Sequence, residues 1–365
     1  MISIVDLFAG AGGFATASHL AGAEVRLSVE IDKICFETLQ MNKIGNNHKV
    51  IQEDVRELTG LGLRKEAGLR RKDPLIIVGG PPCQPFSKAS YWTDPGHDAR
   101  FRRARAKGME AFRPDPVTSA RPDDRRDLLD EFRRLVTEAN ADGFVMENVP
   151  SLLHPRNRPT FDAVLESFKK SGYYFTVVKA EATSFGVPQK RERVFVLGSR
   201  KRAPAEPKPT YNSSRSSDPS LASTPVVDSF LEPFSGPEFF EEGEIVSGKW
   251  AESLKQIPPG WNYKFLSEWA GHPNPIFEAE TKFWNFLLKL DPNLPSWTIN
   301  ANPGPWVGPF HWESRRLRTP ELAAIQTFPA GYKFAGSRRE RVRQIGNSVP
   351  SLLASAMIAQ VLDAI

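Results

Sequence analysis

Cys83 lies in a sequence context that suits a reactive thiol. The run from Gly79 to Ser87, GGPPCQPFS, follows the apolar stretch Leu75 to Val78 and so leaves a predicted strand at its carboxyl end, where parallel sheets bind ligands. A lone cysteine is usually a small packing residue, and Cys35, inside a helical pattern, fits that interpretation. Cys83 does not, because three prolines in five positions stiffen a loop poorly suited to a core thiol. We interpret Cys83 as a candidate nucleophile.

Two later segments place charged side chains beside other predicted strand ends. Glu147 follows the apolar stretch Phe144 to Met146, and Arg191 and Arg193 lie just before or at the start of another predicted strand. A buried glutamate near arginine is often only a structural ion pair, and these residues alone leave that alternative open. Together with Cys83, these residues would supply a nucleophile (Cys83), an acid (Glu147) and positive charges that support the acid (Arg191 and Arg193).

A glycine-rich turn near the N-terminus suits a nucleoside site. The run from Val5 to Gly13, VDLFAGAGG, follows a predicted strand and opens a helix, so its glycines allow close approach of a ligand. Glu30 ends the second predicted strand, where a carboxylate can bond ribose hydroxyls, and Asp54 ends a possible third strand and could bind an adenine amine. Simple loop geometry remains an alternative for the turn alone. Without G-x-G-x-x-G spacing or a Walker lysine, the run favours a mononucleoside over a dinucleotide or triphosphate.

The composition excludes several classes of protein. The chain has 365 residues, 40% apolar and 25% charged, the balance of a globular protein. Its two cysteines exclude a disulfide framework and lack zinc-site spacing, which favours a reducing compartment. We see no signal-peptide pattern and no uncharged apolar segment of about 18 residues, so we expect a soluble, intracellular protein without a membrane partner. The net charge of +5 is compatible with nucleic acid without requiring it.

Up to about Arg200, β-branched stretches alternate with helical patterns, which predicts an α/β fold with a doubly wound, mostly parallel, Rossmann-like sheet. The predicted strands are Ile2 to Leu7, Glu24 to Val29, Val50 to Asp54, Pro74 to Val78, Gly143 to Met146, Tyr173 to Val178 and Arg193 to Leu197. The predicted helices are Gly13 to Leu20, Lys33 to Asn42, Arg126 to Ala139, Thr160 to Lys170, Pro320 to Gln326 and Pro350 to Ala364. Residues 204–309 hold 16 of the 31 prolines, and seven of the eight tryptophans lie between Trp250 and Trp312, which indicates a second, smaller module.

The motifs together resemble those of the DNA (cytosine-5)-methyltransferases, particularly the stand-alone enzymes of bacterial restriction-modification systems. Six matching segments occur in family order between Asp6 and Ala354: Asp6 to Gly13, Pro81 to Gln84, Glu147 to Val149, Gln189 to Arg193, Arg316 to Pro329 and Gln344 to Pro350. The resemblance implies a catalytic domain at residues 1–200, a target-recognition domain at 201–312, and a C-terminal segment at 313–365 that returns to the catalytic domain. Ala17 departs from a frequent family glycine, and the loop between Cys83 and Leu128 is longer than in minimal members.

The resemblance also implies S-adenosylmethionine as cofactor and no metal. The residues expected to hold the cofactor are Phe8, Ala9, Gly10, Gly12, Gly13, Glu30, Asp54, Pro81, Leu128, Asn347 and Ser348. Phe8 would lie beside the adenine, Glu30 on the ribose and Asp54 on the adenine amine. Asn347 and Ser348 would complete the site from the C-terminal segment.

The implied reaction begins with the thiolate of Cys83, which would add to C6 of cytosine and make C5 able to take a methyl group. Glu147, held protonated, would bond N3 and the exocyclic amine, oriented by Arg191 and Arg193. Loss of the C5 proton and elimination would release Cys83. A stacked cytosine is out of reach, so the target base would have to flip out of the duplex.

The expected partner is double-stranded DNA. We also expect functional association with a separate restriction endonuclease, and a monomer in the bacterial cytoplasm.

Residues 200–300 carry 10 basic and 13 acidic side chains, a net charge of −3, so groove contacts rather than bulk charge would give specificity. For the tryptophans of this module we expect core packing. Backbone contacts are expected instead at three basic segments, Arg64 to Lys72, Arg100 to Lys107 and Arg338 to Arg343. The second of these, five cations without an acid, would close over DNA phosphates, although a solvated basic surface is the alternative.

Three other functions stay open on the sequence. A branch of the same family modifies transfer RNA, although the large tryptophan-rich module favours duplex DNA. A catalytically silent DNA-binding regulator could use the same fold, but the intact set of Cys83, Glu147, Arg191 and Arg193 argues against it. A nicotinamide oxidoreductase is disfavoured by the glycine spacing. The DNA sequence recognised, the cytosine methylated and the base-reading residues do not follow from the sequence.

Overall fold

The computed structural model describes residues 2–82, 100–101, 104, 109–110, 112, 124–155, 157–213, 218–278 and 284–365. Its strands are β1 (Ser3–Leu7), β2 (Glu24–Glu30), β3 (Lys49–Gln52), β4 (Leu75–Gly79), β5 (Gly143–Asn148), β6 (Tyr174–Glu181), β7 (Gln189–Lys190), β8 (Glu192–Ser199) and β9 (Ser296–Trp297). Its α-helices are α1 (Gly13–Leu20), α2 (Lys33–Met41), α3 (Gly60–Glu66), α4 (Leu128–Glu138), α5 (Arg158–Lys170), α6 (Asp228–Leu231), α7 (Ala251–Gln256), α8 (Thr319–Ile325), α9 (Arg338–Asn347) and α10 (Ser351–Ala364).

The main sheet has the order β3-β2-β1-β4-β5-β8-β6. Neighbouring strands from β3 to β5 pair in parallel, whereas β8 runs antiparallel to both β5 and β6. The strand order reverses between β1 and β4, and ligands bind in such sheets at the carboxyl ends of the strands flanking that reversal. The predicted doubly wound, mostly parallel α/β fold is therefore confirmed.

Two apolar layers cover the sheet because its central strands are buried on both faces. One layer packs α4 and α5 against the sheet through residues such as Phe132, Phe161 and Phe168. The other packs α1 and α10 through residues such as Phe14 and Met357. The last helix thus completes the core around the main sheet, although it is distant in sequence.

One predicted strand needs correction, and the sequence pattern missed several elements, among them two helices. The third strand ends at Gln52, before Asp54, whose side chain instead accepts a hydrogen bond from Arg56 N and caps the short turn Val55–Glu57. The sequence pattern missed α3, whose two glycines weaken the helical signal. It also missed α9, which we interpreted only as a basic segment and a motif.

The second half of the chain has its own apolar cluster, which includes Leu254, Tyr263, Leu287 and Phe310. The expectation that tryptophans pack in this module is met by Trp250, which lies against the cluster. It is wrong for four others, which the structure leaves exposed: Trp261, Trp269, Trp284 and Trp297. The domain boundaries at residues 200 and 312 stay predictions.

One helical stretch, Arg338–Ala364, has the length and apolar composition of a membrane span. It comprises α9 and α10, and 61% of its most apolar window is buried inside the protein. Packing of α10 against the sheet therefore accounts for its composition.

Buried ion pairs fix the segment before α8. Glu321, fully buried, accepts hydrogen bonds from Nη1 and Nη2 of Arg315 at 2.8 and 2.7 Å, and from the Arg318 backbone N–H at 2.7 Å. Arg318 in turn pairs with Glu244, across 74 residues of sequence. The Arg318–Glu244 pair thus anchors the start of α8 to the second module, and Glu321 holds Arg315 and Arg318 in place.

We expect Glu321→Ala to lower the free energy of unfolding by about 3–5 kcal/mol, because it removes the buried carboxylate that pairs with Arg315 and accepts from the Arg318 N–H, and leaves Arg315 only the exposed Glu313. Glu313→Ala is the matched control: Glu313 also pairs with Arg315, at 3.2 Å, but its side chain is 64% exposed. It should cost no more than about 1 kcal/mol. Urea denaturation of both variants checks this, and equal losses would contradict a special role for Glu321.

Candidate active site

A cavity opens at the carboxyl edge of the sheet, where the strand order reverses. Within the described residues, its walls include every predicted cofactor residue except Gly12: Phe8, Ala9, Gly10, Gly13, Glu30, Asp54, Pro81, Leu128, Asn347 and Ser348. Glu147 and Arg193 line the same cavity, which has a volume of about 240 Å³. A larger cavity of about 570 Å³, in the second half of the chain, holds none of these residues, so position rather than size identifies the candidate site.

The glycine-rich turn is shaped partly by what packs behind it. Gly12 has a φ of 88°, and a Cβ there would lie 2.5 Å from the hydroxyl of Tyr332, which donates to Ala11 O. A Cβ on Gly13 would lie 2.5 Å from Val349 O. Gly12 is therefore placed as a packing residue behind the turn, while Gly13 both packs there and lines the cavity.

Glu30 is held rigidly at the end of β2. Its carboxylate accepts hydrogen bonds from Gly10 N at 2.6 Å and from Asp32 N at 2.8 Å. Burial raises the pKa of Glu30, and these two N–H groups oppose that rise. The contact with Gly10 joins the turn after β1 to the end of β2, which fixes the floor of the cavity.

Glu147 and Arg193 form a close pair at the other end of the cavity. Arg193 Nε lies 2.7 Å from Glu147 Oε1, and both side chains are 14% exposed. The register of β4 and β5 pairs Gly79 with Met146, so Gly80 lies against Glu147. A Cβ on Gly80 would lie 2.9 Å from Glu147 Oε2, which shows why glycine is needed there.

Asn148, at the end of β5, forms a hydrogen bond with the loop that leads from β4 to Cys83. Its Nδ2 donates to Pro81 O at 3.1 Å, while its Oδ1 accepts from Val149 N at 2.9 Å. The described residues stop at Pro82 and resume at Arg100, so Cys83 lies outside them. The segment immediately before the thiol is thus anchored beside Glu147.

The comparisons with known proteins agree with this arrangement. The family model of C-5 cytosine-specific DNA methylases matches residues 2–363. The chain belongs to this family. Among its relatives, the type II methyltransferase M.SacI of Streptomyces achromogenes is 33% identical, over 99% of this chain and 93% of its own length. The type II methyltransferase M1.HphI of Haemophilus parahaemolyticus is 29% identical, over 99% and 87%.

Solved structures share the fold of this C-5 cytosine-specific DNA methylase. A prophage-encoded candidate DNA modification methyltransferase of E. coli has a TM-score of 0.64 at 20% identity, covering 100% of this chain and 99% of its own. The Dnmt2 methyltransferase of S. pombe has a TM-score of 0.58 at 14% identity, with 99% and 98% covered. The predicted family and its activity as a DNA cytosine-5 methyltransferase are confirmed, as is the methyltransferase fold.

The segment from Gln189 to Arg193, which we call the arginine motif, holds two arginines of the methylase that make different contacts. Arg193 contacts Glu147, as expected. The buried guanidinium of Arg191 donates instead to Gly346 O and Ser348 O, at 2.9–3.1 Å. Arg191 therefore holds the C-terminal segment against this motif, which places Asn347 and Ser348 at the cavity.

Several cavity residues of the methylase were not predicted. Asp32 caps α2 and pairs with Arg343 of α9 at 2.9 Å, and the two close one side of the cavity. Burial acts to raise the pKa of Asp32, but Arg343 and the N–H groups of Cys35 and Ile34 lower it overall. Ile31, next to Glu30, is 61% exposed and offers an apolar wall. Asp32 could have been found as an N-cap signal, whereas Arg343 lies on the unpredicted helix α9.

Arg64, the first residue of the basic segment Arg64 to Lys72, is not placed to contact DNA. That side chain is buried and donates to backbone carbonyls, including Ala139 O at 2.6 Å and Arg70 O at 2.8 Å. The segment also precedes β4, at the edge opposite the cavity. Of the segment Arg100 to Lys107, only Arg100, Phe101 and Ala104 are described, so its expected closure over DNA lies outside the described residues.

Asp6 of β1 is fully buried below the turn. Within the described residues neither of its carboxylate oxygens has a partner in regular hydrogen-bond geometry. Burial, and next the charge of Glu30, raise the pKa of Asp6 well above its usual range, and the Ala15 N–H offsets this only in part. The folded protein therefore binds this proton more tightly than the unfolded chain does.

It follows that the contribution of Asp6 to stability falls as pH rises from about 4 through its raised pKa. Asp6→Asn cannot titrate, so we expect its free energy of unfolding to exceed that of the wild type by about 1–3 kcal/mol near neutral pH. The difference should shrink towards pH 4. Denaturant titrations across this range test it, and a constant difference between the two proteins would contradict the assignment.

Proposed function

We propose that this methylase transfers the methyl group of S-adenosylmethionine to C5 of a flipped-out cytosine in a specific double-stranded DNA sequence, through a covalent adduct with Cys83. The observation that carries the proposal is the Glu147–Arg193 pair in the same cavity as Glu30, beside the anchored Pro81–Pro82 segment. An acid, a nucleoside-type pocket and the approach to a thiol thus meet at one sheet edge.

The cavity fits S-adenosylmethionine by its chemistry. The buried Glu30 carboxylate suits a ribose diol, and the side chains of Phe8, Ile31 and Leu128 offer apolar walls to an adenine ring. Asp54 lines the cavity, although its carboxylate also bonds Arg56 N and Nη1. When bound, the cofactor supplies an electrophilic methyl group.

The residues of the chain would do the rest. The thiolate of Cys83 adds to C6 of the cytosine, and C5 becomes nucleophilic. Glu147 donates a hydrogen bond to the base while Arg193 fixes its carboxyl group. Arg191 keeps Ser348 and Asn347 in place. Once C5 carries the methyl group, its proton would pass to a base or water, and β-elimination would break the bond between C6 and Cys83.

The biological setting follows the relatives. M.SacI and M1.HphI are named as type II methyltransferases, so we propose that this chain protects host DNA from a cognate restriction endonuclease in the bacterial cytoplasm. We propose that it acts as a monomer. DNA is favoured over transfer RNA because the chain matches the family model of C-5 cytosine-specific DNA methylases over residues 2–363.

Bisulfite sequencing of a plasmid from cells that express the protein tests the proposal. We expect protected cytosines at one short sequence and nowhere else. A methyl-transfer assay with unlabelled duplex DNA or transfer RNA as competitor separates the two substrates. Unmodified plasmid together with competition by transfer RNA alone would overturn the DNA assignment.

A further inference from the structure

Two exposed tryptophans of the recognition module lie together beside the arginine motif. Trp284 is 45% exposed and Trp297 is 37% exposed. Their ring centroids are 4.4 Å apart, with the planes at 61°. We call these two residues the tryptophan pair. Large aromatic side chains left in water at such a contact are typical of binding surfaces.

Lysine 190 adds a positive charge to the same surface. Its Nζ lies 4.5 Å from the centroid of the Trp297 ring, a cation–π contact. In the described part of the chain no carboxylate forms an ion pair with Lys190. An aromatic face next to an available cation is the combination that proteins use to bind nucleobases and phosphates together.

The pair is attached to the active site through the backbone. Strands β7 and β9 pair in parallel, with Lys190 opposite Trp297, and Thr298 Oγ1 donates to Lys190 O at 2.6 Å. Arg193, three residues after Lys190, contacts Glu147. Trp297 therefore lies opposite a residue that is only three positions before the partner of Glu147.

We propose that the tryptophan pair contacts a nucleobase of the bound duplex close to the target cytosine, with Lys190 on a neighbouring phosphate. The inference rests on the proposed function, since it assigns a DNA contact to the same cleft. DNA is the occupant favoured because the surface is continuous with the arginine motif and carries Lys190, a cation that pairs with no carboxylate of the described residues. A protein partner on this surface is the alternative outcome of the test.

The variants are Trp297→Ala, Trp284→Ala and the conservative Trp297→Phe. Trp269→Ala is the matched control, because Trp269 belongs to the same module, is 69% exposed and also lies near a lysine, Lys264, at 5.8 Å. It has no strand pairing with the arginine motif. The substrate is a duplex carrying the sequence that the wild-type protein methylates.

We expect each alanine variant of the pair to bind this duplex about 5- to 150-fold more weakly by fluorescence anisotropy, with Trp297→Phe in between. Trp269→Ala should stay within about twofold. DNA should also quench the tryptophan emission of the wild type more than that of Trp297→Phe, a comparison that needs only the conservative variant to fold. Wild-type affinity and equal quenching in the pair variants would overturn the inference. A wild-type protein without methyl transfer would instead refute the proposed function.

Discussion

Replacing Cys83 by alanine is expected to abolish methyl transfer while DNA binding is retained. The thiolate is the only group proposed to form a bond to the base, and without it C5 of cytosine stays too electron-poor to react. Loss of an enzyme nucleophile typically costs at least about 10⁴-fold in rate. Single-turnover transfer from labelled cofactor to duplex DNA measures the loss, and an electrophoretic shift assay measures binding.

Cys35→Ala is the control for this prediction, because Cys35 is the other thiol of the chain. Burial, with the charges of Glu30 and Asp32, raises the pKa of Cys35, so its thiol stays protonated. We expect a far smaller loss of rate than for Cys83→Ala, although Cys35 lines the cofactor cavity. If the two variants lost activity to the same extent, Cys83 could not be the nucleophile.

Glu147→Gln should give the next largest effect, a fall of about 10²- to 10⁴-fold in the transfer rate. Glutamine keeps the size of the side chain, but it has no carboxylate to form an ion pair with Arg193 and no acidic O–H to donate to the base. DNA affinity should change little, because the acid acts on the cytosine after it has been captured. Rate constants at saturating DNA separate the two effects.

Glu192→Gln is the matched control for Glu147→Gln. Glu192 lies next to Arg193 but pairs with Lys179, at 3.4 Å, on the outer strand β6. Its substitution should leave the rate within about twofold. A Glu147→Gln protein as active as this control would reduce the Glu147–Arg193 contact to a structural ion pair.

The sequence predicted the fold where local pattern and tertiary packing agree. Helix α1 begins at Gly13 and ends at Leu20 as expected, because a glycine turn precedes it and most of its side chains are buried. Helix α9 was missed, since its sequence RRERVRQIGN has few apolar residues. Contacts from distant segments fix it, including Gln344 with Thr38 at 2.6 Å and Arg343 with Asp32.

The candidate site was predictable to the extent that it follows strand ends. Glu30, Glu147 and Pro81 each lie at the carboxyl edge of a parallel strand, so one rule brings them together. The hydrogen bonds of Arg191 were not predictable, because its acceptors, Gly346 O and Ser348 O, are more than 150 residues away in the sequence. The exposure of Trp284 and Trp297 was likewise missed, since composition suggested packing and only the tertiary structure places them beside Lys190.

The most direct measurement is covalent capture on DNA that carries 5-fluorocytosine at the methylated position. Fluorine at C5 cannot leave as a proton does, so the adduct should persist after methyl transfer. We predict a stable protein–DNA complex that resists denaturation, forms only with S-adenosylmethionine present, and maps by peptide mass spectrometry to Cys83. Methyl transfer to ordinary DNA without any such complex, or an adduct at another residue, would contradict the proposed mechanism.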